Sequence, residues 1–108
     1  MKILLDECIT KKLKAFLSEY DFITVSELQW NGARNGKLMA KCVEHGFDLL
    51  ITIDKNLSSQ NNVSKFELII IVLDSPSSKI EYLKEFIPEI KKDMSDYTKG
   101  NSYAISLT

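Results

Sequence analysis

The strongest constraint in this chain is a pattern that occurs twice, a short apolar run that ends on an acid. The first instance is Ile3-Leu4-Leu5-Asp6-Glu7, and the second is Leu49-Leu50-Ile51-Thr52-Ile53-Asp54. Runs of this kind read as strands covered on both faces of a parallel sheet. The acid that follows then sits at the carboxyl end of its strand, on the rim where open α/β sheets bind their ligands. With the two strands parallel, Asp6 and Asp54 share one edge and can face a single cation. Even two places apart in the sheet, the strand ends would lie within about 10 Å.

The rest of the chain alternates in the same way. Ile9, Leu13, Phe16, Leu17 and Tyr20 recur at helical spacing with lysines between them, which predicts an amphipathic first helix. Phe22-Ile23-Thr24-Val25 predicts a strand. Ser26 to Gly36 reads as a loop with a helical turn at Glu27-Leu28-Gln29, and Asn35 as the N-cap of a helix that buries Leu38, Met39, Cys42 and Val43. Gly46 stops that helix.

The strand Leu49 to Ile53 follows, then a polar segment from Lys55 to Val63 that reads as a short helix or loop. Leu68 to Leu73 is the most apolar run and is expected at the sheet centre. Asp74-Ser75-Pro76-Ser77-Ser78 predicts a turn that also supplies an N-cap. Apolar residues at 80, 83, 87, 90, 94 and 97 predict a helix that Pro88 breaks near Phe86. Tyr103, Ile105 and Leu107 alternate with small residues, as in a half-exposed strand at a sheet edge. The class is α/β with a mainly parallel sheet.

Composition narrows the chemistry. Fourteen basic and fifteen acidic side chains leave a net charge of −1, so no bulk positive field draws nucleic acid or membranes. The longest apolar run is too short to span a bilayer, and an acid interrupts the N-terminal stretch before a signal-peptide core develops. Cys8 and Cys42 both fall in apolar patterns and are expected to be reduced, buried and cytoplasmic. No Gly-rich phosphate loop follows the first strand, which argues against a flavodoxin-like receiver or nucleotide binder.

Two carboxylates on one rim repel unless a cation lies between them. Oxygen ligands suit Mg²⁺ or Mn²⁺ and not zinc. Such an ion would hold phosphate oxygens and activate water. The simpler reading of Asp6 and Asp54 is a helix cap or loop acceptor, and Asn35 and Asn56 have the same simple alternative. Lys55 reads most simply as a solvated lysine, with pairing to Asp54 or reach to a phosphate as the alternatives. Gln60-Asn61-Asn62 reads as a polar surface loop, Trp30 as a cover for the sheet edge, and His45 as a solvent-facing residue at a helix end.

Leu5-Asp6-Glu7, Trp30-Asn31-Gly32-Ala33-Arg34-Asn35-Gly36 and Thr52-Ile53-Asp54-Lys55-Asn56-Leu57 together resemble the small PIN-like domains. Members of that family are described as toxins of toxin–antitoxin modules. The resemblance is clear to about Leu73 and continues by pattern to the end. It implies a single domain over residues 1–108, with a three-layer α/β/α fold. The five-stranded, mainly parallel sheet would be ordered 3-2-1-4-5.

The same resemblance implies a metal-dependent ribonuclease using Mg²⁺ or Mn²⁺. Asp6 matches the metal ligand after the first strand, Glu7 its acidic neighbour, and Asp54 the aspartate after the threonine-containing strand. Asp6, Glu7 and Asp54 are thus the expected catalytic set, with Asp6 and Asp54 on the metal. Asn35 and Asn56 stand where many relatives carry aspartate, which leaves a reduced acidic site with accessory amide oxygens. Arg34, Lys37, Lys41 and Lys55 are expected to steer an RNA backbone. The implied partners are RNA, an antitoxin protein and a second copy of the chain, with no membrane. The alternative is a catalytically degenerate PIN-like module that binds RNA or a protein.

Overall fold

The computed structural model describes residues 1–33, 35–59 and 62–107. Its strands are β1 (Lys2–Leu5), β2 (Asp21–Thr24), β3 (Leu49–Thr52), β4 (Ile69–Leu73) and β5 (Asn101–Ile105). The helices are α1 (Asn35–Glu44), α2 (Lys55–Ser59), α3 (Ile80–Leu83) and α4 (Ile87–Lys92). All strand pairs are parallel, in the order β2-β1-β3-β4-β5. The five-stranded parallel α/β/α architecture expected from the sequence is therefore present.

The order differs from the expected 3-2-1-4-5, and burial separates the edge strand β2 from the inner ones. All four residues of β3 are buried. Any one of the apolar three left exposed would forfeit about 1.5–3 kcal/mol. β2 begins at the exposed Asp21 and is only partly buried, which suits an edge. β4 is equally buried, so both lie inside the sheet, and β3 holds the centre, with Leu4 opposite Leu50 on one side and Leu50 opposite Ile70 on the other. β4, expected at the centre, lies one place away.

Alternation along the strands builds two cores. Ile3, Leu5, Leu49, Ile51, Ile69 and Ile71 face Leu13, Leu17, Leu83, Phe86 and Ile90. Leu4, Leu50, Ile70 and Val72 face Leu38, Met39, Cys42, Leu57 and Val63. The period of two in side-chain direction sends neighbouring residues of one strand into opposite layers.

Several local expectations need correction. The predicted first helix is a 3₁₀ segment, Lys11–Phe16, capped by the Thr10 hydroxyl. It ends at Phe16, four residues short of Tyr20, so Leu17 enters the core from a non-helical backbone while Phe16 is left 45% exposed. Val43 is 39% exposed instead of buried, because it lies on the outer face of α1. Gly46 does terminate α1: with φ +78 it lets its own N–H reach Val43 O and that of Phe47 reach Cys42 O, a closure that favours glycine.

Pro88 falls in the first turn of α4, where its missing N–H costs nothing, after a 3₁₀ turn Lys84–Phe86 that separates α4 from α3. Asp74–Ser78 forms the expected turn, but the N-cap of α3 is Lys79, without a side-chain cap bond. Ser77 Oγ instead accepts from the Lys79 N–H at 3.1 Å. β5 is the expected edge strand, and Leu107 beyond it is exposed.

Candidate active site

In the order 2-1-3-4-5 the chain leaves β1 in one direction to form β2 and returns past it to form β3. The switch point is the crevice beyond the carboxyl ends of β1 and β3, where doubly wound sheets place ligands. Asp6 and Asp54 are at that crevice. The two strands are immediate neighbours, closer than the two-place spacing allowed for, and the Asp6 N–H continues the ladder to Ile51 O at 3.0 Å.

Asp6 is only 8% exposed. Its Oδ1 accepts the Glu7 N–H at 2.8 Å, and its Oδ2 accepts the Thr52 hydroxyl at 2.7 Å. The Cys8 thiol also approaches Oδ2, at 3.8 Å. Thr52 Oγ1 in turn accepts the Asp54 N–H at 3.0 Å. An amide can only donate, so that bond leaves the Thr52 proton free to serve Asp6. One threonine thus ties the β1 acid to the backbone that carries the β3 acid.

Asp54 is exposed and caps α2: its Oδ1 accepts the Asn56 N–H at 2.9 Å and its carbonyl accepts the Leu57 N–H at 3.3 Å. The simple cap reading is therefore true of Asp54. A cap occupies one lone pair of one carboxylate oxygen and leaves the others for a ligand. Glu7 is also exposed, and its Oε2 accepts the Asn31 amide at 3.3 Å.

These three acids line one cleft of about 230 Å³ together with Cys8, Ala33, Leu38 and Leu57. The sequence pattern points to no role for Thr52 and predicts a buried Cys8. The signal for Thr52 was a lone hydroxyl in an otherwise apolar run, two residues before Asp54. Cys8 is half-buried, and its Sγ lies 3.6 Å from Thr52 Oγ1. Burial raises the Cys8 thiol pKa, opposed by a backbone bond at Ile53, and the Asp6 charge raises it further. Cys42 is fully buried in the second core, and burial, aided by the Asp6 charge, pushes its thiol up to about 12. Both cysteines are free.

The expected basic residues are dispersed. Lys37 is exposed near the start of α1. Lys41 lies a turn further from the cleft, its Nζ 5.3 Å from the Trp30 ring centre. Lys55 pairs with Asp74, not Asp54, at 2.7 Å. Arg34, Gln60 and Asn61 lie outside the described residues, as does the Asn35 side chain. Asn56 is exposed beside Asp54. Trp30 packs edge-on against Phe47 and His45 beside the second core. His45 is exposed, with Nδ1 2.9 Å from Lys41 O.

No family model matches the chain, and no curated protein or solved structure matches it either. The donors of the cleft decide whether it suits a cation. Among the described residues, no three of His, Cys, Asp and Glu come together closely enough to form a metal site on their own. Mg²⁺ does not require this: it is usually held by one or two carboxylates, keeping several waters and taking the rest from substrate phosphates. Asp6 and Asp54 at one cleft, with Glu7 beside them, meet that requirement with hard oxygen donors. No helix among the described residues is long and apolar enough to cross a membrane.

Proposed function

We propose that this chain is a divalent-metal-dependent ribonuclease of the PIN-like kind, acting as the toxin of a toxin–antitoxin pair. The observation that carries the reading is the meeting of Asp6, Glu7 and Asp54 in one cleft at the sheet's switch point. The same strand order occurs in flavodoxin-like sheets, so topology alone assigns no chemistry and the side chains at the crevice must do so.

In this reading Asp6 and Asp54 hold Mg²⁺ or Mn²⁺. The cation, when bound, supplies Lewis acidity at phosphate oxygens and makes water a better nucleophile at neutral pH. Thr52 keeps Asp6 Oδ2 in place through its 2.7 Å bond, which lowers the cost of ordering the site when substrate arrives. Glu7, restrained by Asn31, accepts the proton of the attacking water at its carboxylate. Leu38, Leu57 and Ala33 form the apolar wall of the cleft, which strengthens electrostatic interactions inside it. Hydrolysis then leaves a phosphate monoester and a free hydroxyl.

The test is cleavage of a labelled single-stranded RNA with Mn²⁺, with EDTA as control, beside calorimetric titration of the protein with Mn²⁺. The parent chain is expected to cut and to bind the ion, and Asp6→Asn to do neither while keeping its circular dichroism spectrum. Equal cutting by the variant would end the assignment. A folded parent that binds no ion at millimolar concentration would instead favour the degenerate binding module.

A further inference from the structure

We infer that a furrow running from the cleft along the opposite side of the rim from α1 binds the phosphodiester backbone of a single-stranded nucleic acid, through Lys12 and Lys79. The inference rests on the ribonuclease reading for its substrate class, but not for its geometry.

Three hollows lie in succession along this side, each sharing one lining residue with the next. Glu7 belongs both to the cleft and to a neighbouring hollow of about 220 Å³, which also holds Lys11, Thr10 and Ser26. Thr10 belongs both to that hollow and to a third of about 380 Å³, lined by Lys12, Ser78, Lys79, Ile80 and Glu81. The walls of the third hollow come from segments more than 60 residues apart, held together because α3 packs beside the 3₁₀ helix Lys11–Phe16.

The charges are free to act. Lys14, Lys55, Lys91 and Lys99 are paired with acids, whereas Lys11, Lys12 and Lys79 make no ion pair among the described residues. All three are exposed. The furrow therefore offers Lys12 and Lys79 as unpaired cations in a chain whose net charge is −1, beside Lys11, whose charge also acts on Glu27. Its two acids are Glu81 and Glu7, the latter at the end that opens into the cleft. Thr10 and Ser78 add hydroxyls, and lysines with Ser or Thr hydroxyls are the usual partners of phosphate oxygens. The basic track thus lies on residues other than Arg34, Lys37 and Lys41, which the sequence had suggested.

Fluorescence anisotropy of a labelled single-stranded RNA in EDTA, where no turnover occurs, measures binding alone. Lys12→Ala with Lys79→Ala is expected to weaken binding about tenfold at low salt and to flatten the log–log salt slope by about 0.7 per lysine. Lys65→Ala, whose lysine lines none of the three hollows, should change neither. Unchanged affinity and slope in the double variant would overturn the inference. So would lysine-dependent binding of an acidic peptide with none of RNA, which would make the furrow a protein-docking surface. The two readings fail separately. Lysine-dependent RNA binding without Mn²⁺-dependent cutting would remove the catalytic assignment and keep the furrow; cutting by the double variant at the parental KM would do the reverse.

Discussion

Thr52 donates its hydroxyl proton to Asp6 Oδ2 at 2.7 Å across the seam between β1 and β3. Thr52 Oγ1 itself accepts the Asp54 N–H at 3.0 Å, so the position of one acid is coupled to the backbone of the other. This bond is the structural link between the two strand ends, and its removal is the sharpest probe of the crevice.

Thr52→Val keeps the shape and removes the hydroxyl. Asp6, buried and left with one fewer donor, should cost the fold about 1–3 kcal/mol. Urea denaturation followed by circular dichroism would read this as a lower midpoint at unchanged slope. Mn²⁺ affinity should also fall, by about 10–100-fold, as expected when a group that orients a metal ligand is lost. A variant with parental midpoint and affinity would show that the bond does not matter.

Asp54 both caps α2 and faces the cleft, and two substitutions separate those roles. Asn caps about as well as Asp, whereas Ala gives up about 1 kcal/mol. Asp54→Asn should therefore hold its thermal midpoint and lose RNA cleavage, while Asp54→Ala should lose both. Cleavage retained in Asp54→Asn would leave Asp54 as a cap alone.

Cys42 carries an alkaline prediction. Burial raises its thiol pKa to about 12, whereas the unfolded thiol titrates near about 8.5. Between these values the unfolded chain releases a proton that the folded chain keeps, so stability is full below about pH 8.5 and falls as pH rises toward 12. Cys42→Ala should flatten this part of the stability–pH curve, at a separate packing cost that is constant with pH. At pH 8, a thiol reagent should label Cys42 only after urea is added.

Asp48 carries the acid counterpart. It accepts the Lys2 N–H at 2.9 Å and pairs with Lys99 at 3.0 Å, and these partners, the Lys2 amide first, hold its carboxyl below the usual range. The stability this adds is present above the unfolded carboxyl value of about 3.9 and is lost as pH falls through the depressed one. Asp48→Asn should flatten the acid limb of the denaturation midpoint measured from pH 6 down to 2. An acid limb identical to the parent's would exclude the pair as its source.

The strands were legible because each is a short apolar run closed by a polar residue, and period-two alternation already divided Leu4 from Leu5 and Leu50 from Ile51 into different layers. Pro88 and Gly46 were equally legible, since a missing N–H and a positive φ act locally. The 3₁₀ form of Lys11–Phe16 was not, because Ile9, Leu13 and Leu17 satisfy helical spacing whichever hydrogen-bond closure the backbone adopts. Lys55 looked like a partner for Asp54 by adjacency, yet its long side chain reaches Asp74 at the end of β4.

What this chain determined without reference to its fold was which residues end a strand on an acid, because apolar burial and local backbone chemistry are properties of short segments. Which strand neighbours which was decided only in three dimensions, where β3 and β4 are both fully buried and β3 took the centre and came to lie against β1. That choice brought Thr52 to Asp6, and the packing of α3 beside the Lys11–Phe16 segment set Lys12 and Lys79 around one hollow. Contacts between residues 40 to 70 positions apart depend on how whole layers pack, and no local pattern encodes them.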